Sequence, residues 1–179
     1  MSDEKPVRKP PRKVTPAYLQ RAALSYLERY ASSAENLRRV LRRKVDKRCR
    51  LRGEDPSEFH DAIDEVVAKS LSSGLIDDTR YAEGRVASLR RRGGSARAIQ
   101  AKLSAKGVDR TTIAAALEGE DGDEAAAARA LARRRRLGPY RPGARAPYRD
   151  KDLAALARAG FRFDVARAVV DGEREDGEA

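Results

Sequence analysis

Apolar residues recur at intervals of three and four along most of the chain, the period of a helix with one buried face. Leu19, Ala23, Tyr26, Leu27 and Tyr30 form the first stripe. Thr15-Pro16 opens it, as a capping hydroxyl followed by proline at the first helical position. Leu37, Val40, Leu41 and Val45 form the second stripe, with Ser32 and Glu35 as its capping box. This helix runs on through Asp46-Lys47-Arg48 and breaks at 52–54. Asp55-Pro56-Ser57-Glu58 repeats the start signal, and Phe59, Ile63, Val66, Val67 and Leu71 follow as the third stripe. Gly74 ends it as a left-handed cap residue.

The second half of the chain reads the same way. Leu75 and Ile76 clamp the incoming chain onto a helix that Asp77 or Asp78 caps and that carries Tyr81, Ala82, Val86 and Leu89. Ser95 caps the next helix, with Ile99 and Leu103 inside. Gly107 stops it, Val108 packs across the turn, and Asp109 caps a further helix holding Ile113 and Leu117. Residues 119–123 are a linker, and residues 123–136 form a helix by propensity. Residues 138–149, rich in Gly, Pro and Arg, read as a loop. Leu153, Leu156, Gly160, Phe161, Phe163, Ala166, Val169 and Val170 supply the last pair of helices. No stretch alternates with the period of a strand, so the expected fold class is all-α.

The pattern also repeats. An offset of 62 residues pairs Ser33 with Ser95, Leu41 with Leu103, Leu27 with Leu89 and Leu19 with Tyr81. An offset of 53 pairs Leu103, Gly107 and Val108 with Leu156, Gly160 and Phe161. One helical unit therefore occurs three times, and stacked units present a long surface in place of one deep pocket. The expected organisation is a disordered basic arm over 1–14, repeat 1 over 15–74, repeat 2 over 75–119, repeat 3 over 120–172 and an acidic tail over 173–179.

Charge sharpens the functional reading. Lys and Arg total 39 against 28 Asp and Glu, a net charge of +11. That balance favours a polyanion as partner: nucleic acid, a nucleoprotein assembly or an anionic surface. Arginine is also favoured by a GC-rich genome, which accounts for Arg over Lys but not for the excess of positive charge. One His and one Cys, at His60 and Cys49, exclude an internal disulfide, a transition-metal cluster and a Ser-His-Asp arrangement. Arg48 and Arg50 beside Cys49 could lower its pKa; a small side chain near a helix end is the simpler reading. Asp77-Asp78 gathers no further acids and reads as a helix cap, not a cation site. No apolar run spans a bilayer and no secretory signal opens the chain. A cytoplasmic, monomeric protein that is not an enzyme, needs no cofactor and has no membrane partner is the expectation.

The candidate contact residues are the basic groups at matching module positions. They are Arg38, Arg39, Arg42 and Arg43 on the second helix of repeat 1, and Arg97, Lys102 and Lys106 on that of repeat 2. Arg90, Arg91 and Arg92 end the first helix of repeat 2, and Arg133, Arg134, Arg135 and Arg136 end that of repeat 3. A charged helix face serves solubility alone in many proteins. A stripe recurring along a solenoid has in addition the geometry to follow phosphates, with binding that weakens steeply in salt. No helix stands out as a reader of base sequence. Tyr140 and Tyr148, among Arg141, Arg145 and Arg149, could stack on unpaired bases.

Gly74-Leu75-Ile76-Asp77-Asp78-Thr79-Arg80-Tyr81-Ala82, the basic run at 90–92, Leu103-Ser104-Ala105-Lys106-Gly107-Val108 and Ala115-Ala116-Leu117 resemble the central repeat of the RecX family. Gly160-Phe161-Arg162-Phe163-Asp164 is similar to that family's last repeat. The resemblance covers roughly residues 17–172 and is strongest over 74–117. It implies three tandem three-helix repeats in an elongated, curved body. It implies a regulator of bacterial recombination that binds RecA, lodges in the groove of the RecA–DNA filament and inhibits strand exchange, ATP hydrolysis and co-protease function. It also implies sequence-independent binding of single- and double-stranded DNA, with basic residues of the repeats facing the nucleoprotein. Two departures mark this chain: Lys44-Val45 stands where the family has a Gly turn, so the second helix is extended, and the third unit carries the segment at 138–149. The alternative reading is a DNA-binding regulator acting on naked duplex.

Overall fold

The Thr15 hydroxyl accepts the Tyr18 N–H at 3.2 Å and opens α1 (Pro16–Leu27) with proline in its first turn. In the computed structural model, residues 11–119 and 124–174 are described. Residues 1–10 of the expected arm, 120–123 of the linker and 175–179 of the tail lie outside them. Every regular element among the described residues is helical.

α2 (Ala34–Arg52) is capped by Ser33, not by Ser32 as its Ser-x-x-Glu spacing suggests: the Ser33 hydroxyl accepts the Asn36 N–H at 3.2 Å. Ser32 is instead buried and accepts the Asn36 side-chain amide at 2.8 Å, while the same amide group donates to the Tyr26 hydroxyl at 2.9 Å. This trio ties the end of α1 to the start of α2. α2 ends where Gly53 turns left-handed at φ +70°. Asp55 then caps a 3₁₀ turn, Pro56–Phe59, which leads into α3 (His60–Ser72), and Gly74 closes the bundle at φ +73°.

The remaining helices are α4 (Asp78–Arg91), α5 (Ala96–Ala105), α6 (Arg110–Gly119), α7 (Glu124–Arg135), α8 (Arg149–Arg158) and α9 (Phe163–Asp171). Ser95 caps α5 through the Ala98 N–H, and Asp109 caps α6 through the Thr112 N–H at 2.9 Å. α4 starts at Asp78, which leaves Asp77 at the capping position.

Buried side chains fall into three groups, one per helix triplet. Leu19, Leu37, Leu41, Val45, Ile63 and Val67 centre the first; Val86, Ile99, Leu103 and Ile113 the second; Leu131, Leu156, Phe161, Ala166 and Val170 the third. Each fully buried large aliphatic side chain contributes about 1.5–3 kcal/mol, so each thin bundle depends on a handful of residues. The chain divides between Asp77 and Asp78 into two compact units, the first holding α1 to α3 and the second α4 to α9.

Burial corrects the repeat register in one place. Leu19 and Ala23 of α1 match Ala82 and Val86 of α4, an offset of 63, whereas Ser33, Leu37 and Leu41 match Ser95, Ile99 and Leu103 at 62. The connection between the first two helices is one residue longer in the first triplet, so Leu19 pairs with Ala82 and not with Tyr81. Four apolar residues placed on stripes are exposed: Tyr30, Leu71, Leu75 and Phe163. Tyr30 lies beyond the end of α1 and rests against the Tyr26 ring at 5.2 Å; Leu71 and Leu75 flank the helix end, where only Ile76 turns inward.

The basic arm is shorter than expected. Val14 is 3% exposed and sits in the first core with Leu19. The Arg12 carbonyl accepts from Arg48 at 2.8 Å and the Pro11 carbonyl from Arg52 at 2.8 Å, while the Arg48 guanidinium lies 3.9 Å from the Tyr18 ring centroid. The extended second helix thus uses its own arginines to hold the chain that enters α1.

Within the second unit, two triplets meet at small residues. A Cβ added to Gly93, at φ +76°, would lie 2.6 Å from the Leu131 nitrogen. A Cβ on Gly160, at φ +95°, would lie 2.6 Å from the Ser95 hydroxyl. That hydroxyl donates to the Ala159 carbonyl at 2.7 Å while it caps α5. Ser95→Ala removes both bonds and is expected to lower the melting midpoint of the second unit, at a cost of about 1–2 kcal/mol in urea unfolding.

The segment at 138–149 is not an open loop. It is wound into two 3₁₀ turns, Gly138–Tyr140 and Ala146–Tyr148, with Gly138 and Pro139 buried. Asp152 anchors it. This carboxylate, 2% exposed, accepts the Gly138 N–H at 2.8 Å and the Arg141 guanidinium at 2.5 and 3.2 Å. Burial alone pushes the Asp152 carboxyl up, yet Arg141 and the Gly138 N–H together hold it below the ordinary carboxylate value. A carboxyl depressed in the folded state stabilises fully above its unfolded pKa, near 4, and the gain fades as pH falls through the folded value. The second unit is therefore expected to lose stability below about pH 4. Asp152→Asn should remove that acid-dependent component and weaken the unit at neutral pH, read by circular dichroism across pH.

Candidate functional site

The fourteen basic residues picked from sequence fall into different settings. On α2, Arg38 bridges Glu35 at 2.6 Å and Asp64 at 2.7 Å, and Arg39 meets Glu35 at 3.0 Å. Arg42 is half-buried, with its Nε shielded and unpartnered, while Arg43 is exposed. The α2 face is thus partly neutralised by its own carboxylates. On α5, Arg97, Lys102 and Lys106 are exposed.

Arg90 departs from the expectation for a contact residue. Its side chain is 10% exposed and turned inward, paired with Glu124 and donating to the Gly94 carbonyl at 3.2 Å. Glu124 in turn accepts the Ala96 N–H at 3.2 Å. Arg90 is a strut that fixes the start of α7 against the ends of α4 and α5. Its charge is satisfied inside the unit, and the run at 90–92 offers two outward groups, not three.

The remaining six converge. Gly93 packs its backbone on Leu131, so the ends of α4 and α7 lie side by side. The Arg134 guanidinium donates to the Arg92 carbonyl at 2.7 Å. This brings Arg91 and Arg92 to Arg133, Arg134, Arg135 and Arg136, all of them exposed. None of the six forms an ion pair with a described carboxylate, in contrast to Arg38, Arg39, Arg52, Arg90, Arg141, Arg149 and Arg162. The negative ends of two helix dipoles offset part of the repulsion. The sequence shows the two runs; only the close approach at Gly93 makes them one site.

Arg136 adds a backbone signature. It is the only non-glycine among the described residues with positive φ, at +55°. It ends α7 with the hydrogen-bond pattern that Gly93 uses to end α4: Arg136 N–H to Arg133 and Leu137 N–H to Ala132, against Gly93 to Arg90 and Gly94 to Leu89. A left-handed L-residue costs about 1–2 kcal/mol. Arg136→Gly should raise stability by up to about 1 kcal/mol and weaken polyanion binding, measured by urea unfolding and by salt-titrated affinity.

The other settings offer no reactive constellation. A groove of about 250 Å³ between α1 and α3 is lined by Ala23, Leu24, Val66 and Leu75, with Lys69 at its edge and no acid or histidine. Cys49 is buried, and burial followed by nearby carboxylates pushes its thiol up, the reverse of what Arg48 and Arg50 suggest. No group of three His, Cys, Asp or Glu suited to a metal ion occurs among the described residues, and no described helix is long and apolar enough to cross a membrane. Tyr140 is not an open stacking surface: its hydroxyl is buried and Arg133 lies 5.5 Å from its ring centroid.

Sequence reasoning missed the roles of Val14, Arg48 and Arg52. A signal for the first was present: an apolar residue just before the Thr15 cap, facing Leu19 four positions into the helix, is a hydrophobic staple.

Residues 77–117 match the family described as RecX, second three-helix domain. The chain is 45% identical over 175 residues to Regulatory protein RecX of Myxococcus xanthus, covering 94% of both chains. It is 32% identical to the protein of that name from Agrobacterium fabrum, over 90% of this chain and 86% of the relative. Against the Corynebacterium efficiens protein it is 37% identical, over 87% and 82%.

Proposed function

The chain belongs to the RecX family of regulatory proteins, and from that premise we propose that it binds the RecA–DNA nucleoprotein filament and inhibits the recombinase by occupying the filament groove. The observation that carries this reading is the cluster of Arg91, Arg92, Arg133, Arg134, Arg135 and Arg136, drawn together at two helix ends with no described carboxylate to neutralise it. Such a cluster suits a surface whose negative charge is dense and repeated. Arg43, Arg97, Lys102 and Lys106 extend the basic surface on α2 and α5, and the paired Arg38 and Arg39 contribute less.

The mechanism is occupancy by linked weak contacts. Each triplet makes a modest electrostatic contact, and once one has landed the others act at raised effective concentration. A chain lying in the groove blocks the second DNA strand and stiffens the interfaces between recombinase protomers, which suppresses strand exchange, ATP hydrolysis and co-protease activity together. The protein acts as a cytoplasmic monomer with no chemistry of its own, and binds single- and double-stranded DNA without regard to sequence.

The test is ATP hydrolysis by the cognate recombinase on single-stranded DNA, with and without this protein, across a salt series. The expected result is inhibition that saturates at no more than one chain per few protomers and weakens as salt rises. Unchanged hydrolysis, together with a defined footprint on naked duplex, would move the assignment to a duplex-binding regulator.

A further inference from the structure

The chain passes from α4 to α5 through residues 92–95 but from α7 to α8 through 136–148. The added segment is not part of the arginine cluster, and it is firmly held. Arg141 is fixed on the buried Asp152, Arg149 grips Asp171 with two bonds of 2.6 and 2.7 Å, and Arg145 donates to the Gly172 carbonyl at 3.3 Å. Three prolines, at 139, 142 and 147, limit the backbone further.

All this order presents one aromatic ring. Tyr148 is 42% exposed, in a stretch where every residue from 142 to 151 is exposed. The Arg141 guanidinium lies 4.3 Å from its ring centroid and the Lys151 ammonium 5.6 Å. Arg141 and Arg149 are neutralised by their aspartates. Arg145 and Lys151 have no carboxylate partner among the described residues. The site is thus a rigid tyrosine, half open, between two uncompensated cations. A face-on ring takes any base, and cations on either side take the phosphates that flank it.

We propose that Tyr148, with Arg145 and Lys151, is a stacking site for an unpaired base of single-stranded nucleic acid. Duplex DNA cannot use the ring, because its bases are already stacked. The site needs no recombinase, so it stands or falls apart from the filament reading.

The test is equilibrium binding of the full-length chain to a short oligothymidylate and to a hairpin duplex, without recombinase. Tyr148→Ala should weaken oligothymidylate binding roughly five- to thirty-fold and leave duplex binding within about twofold. Tyr148→Phe keeps the ring and should bind like the parent, which also shows that loss in the alanine variant is not misfolding. The chain has no tryptophan, so Tyr148→Trp supplies a single reporter whose emission oligothymidylate should quench and duplex should not. Arg145→Ala with Lys151→Ala should lower the salt dependence of oligothymidylate binding. Equal affinity of Tyr148→Ala and parent for oligothymidylate would overturn the proposal, as would an equal loss on both DNAs. Poly-glutamate competing as well as oligothymidylate, with the same sensitivity to Tyr148→Ala, would also overturn it by marking a docking patch for acidic protein.

Discussion

Glutamate at Arg91, Arg92 and Arg135 together is expected to abolish inhibition of the recombinase filament at concentrations where the parent inhibits fully. All three side chains are exposed and make no ion pair with a described carboxylate, so their reversal costs the fold little. Arg134 is left in place because its bond to the Arg92 carbonyl joins α7 to α4. Each reversal removes one attraction to phosphate and adds one repulsion. At about 0.2–1 kcal/mol per exposed contact, three reversals weaken binding roughly ten- to a thousand-fold at moderate salt. The same reversals should flatten the dependence of affinity on salt, because fewer counterions are released. The matching change on the paired face, Glu at Arg38 and Arg39, should do less to binding and more to stability, since it strands Glu35 and Asp64.

Gly93→Ala is expected to be the most damaging single substitution in the second unit. Its backbone is left-handed at φ +76°, and an added Cβ meets the nitrogen, Cα and Cβ of Leu131 at 2.6, 2.9 and 2.9 Å. The first of these is backbone and cannot swing away. Strain and overlap together come to roughly 3–5 kcal/mol, a large part of the stability of a small domain. Relief requires the ends of α4 and α7 to part, which also separates the two arginine runs. Polyanion affinity should therefore fall although no charge has changed. Gly74→Ala is the control. It has nearly the same φ, +73°, but open space around the added carbon, so it should cost only about 1–2 kcal/mol and leave binding intact. A melt in which the two alanine variants behave alike would show that the close approach at Gly93 carries no weight.

How much of this was legible in the sequence follows from which interactions are local. Caps at Thr15, Ser95 and Asp109 and left-handed turns at Gly74 and Gly107 depend on a few neighbouring residues, and all sit where the residues predict. Periodicity placed Leu37, Leu41, Ile63, Ile99 and Leu103 in cores. It failed at Tyr30, Leu71, Leu75 and Phe163 because a stripe does not say where packing stops. The choice between Ser32 and Ser33 as cap turned on Asn36, which uses one serine for its N–H and the other for its side chain. The fold class was therefore readable, while the site was readable only as two basic runs. Their union, the withdrawal of Arg90 onto Glu124 and the winding of 138–149 around Asp152 all rest on residues far apart in the chain.

The account rests on a cationic surface that meets a periodic anion, and affinity for a preformed recombinase–DNA filament, measured across salt, reads this most directly. The parent should lose affinity along a steep straight line in log–log form. The variant carrying Glu at Arg91, Arg92 and Arg135 should start weaker and follow a visibly shallower line, by about two to three units of slope. Parallel lines of equal affinity, or a parent whose binding ignores salt, would contradict it.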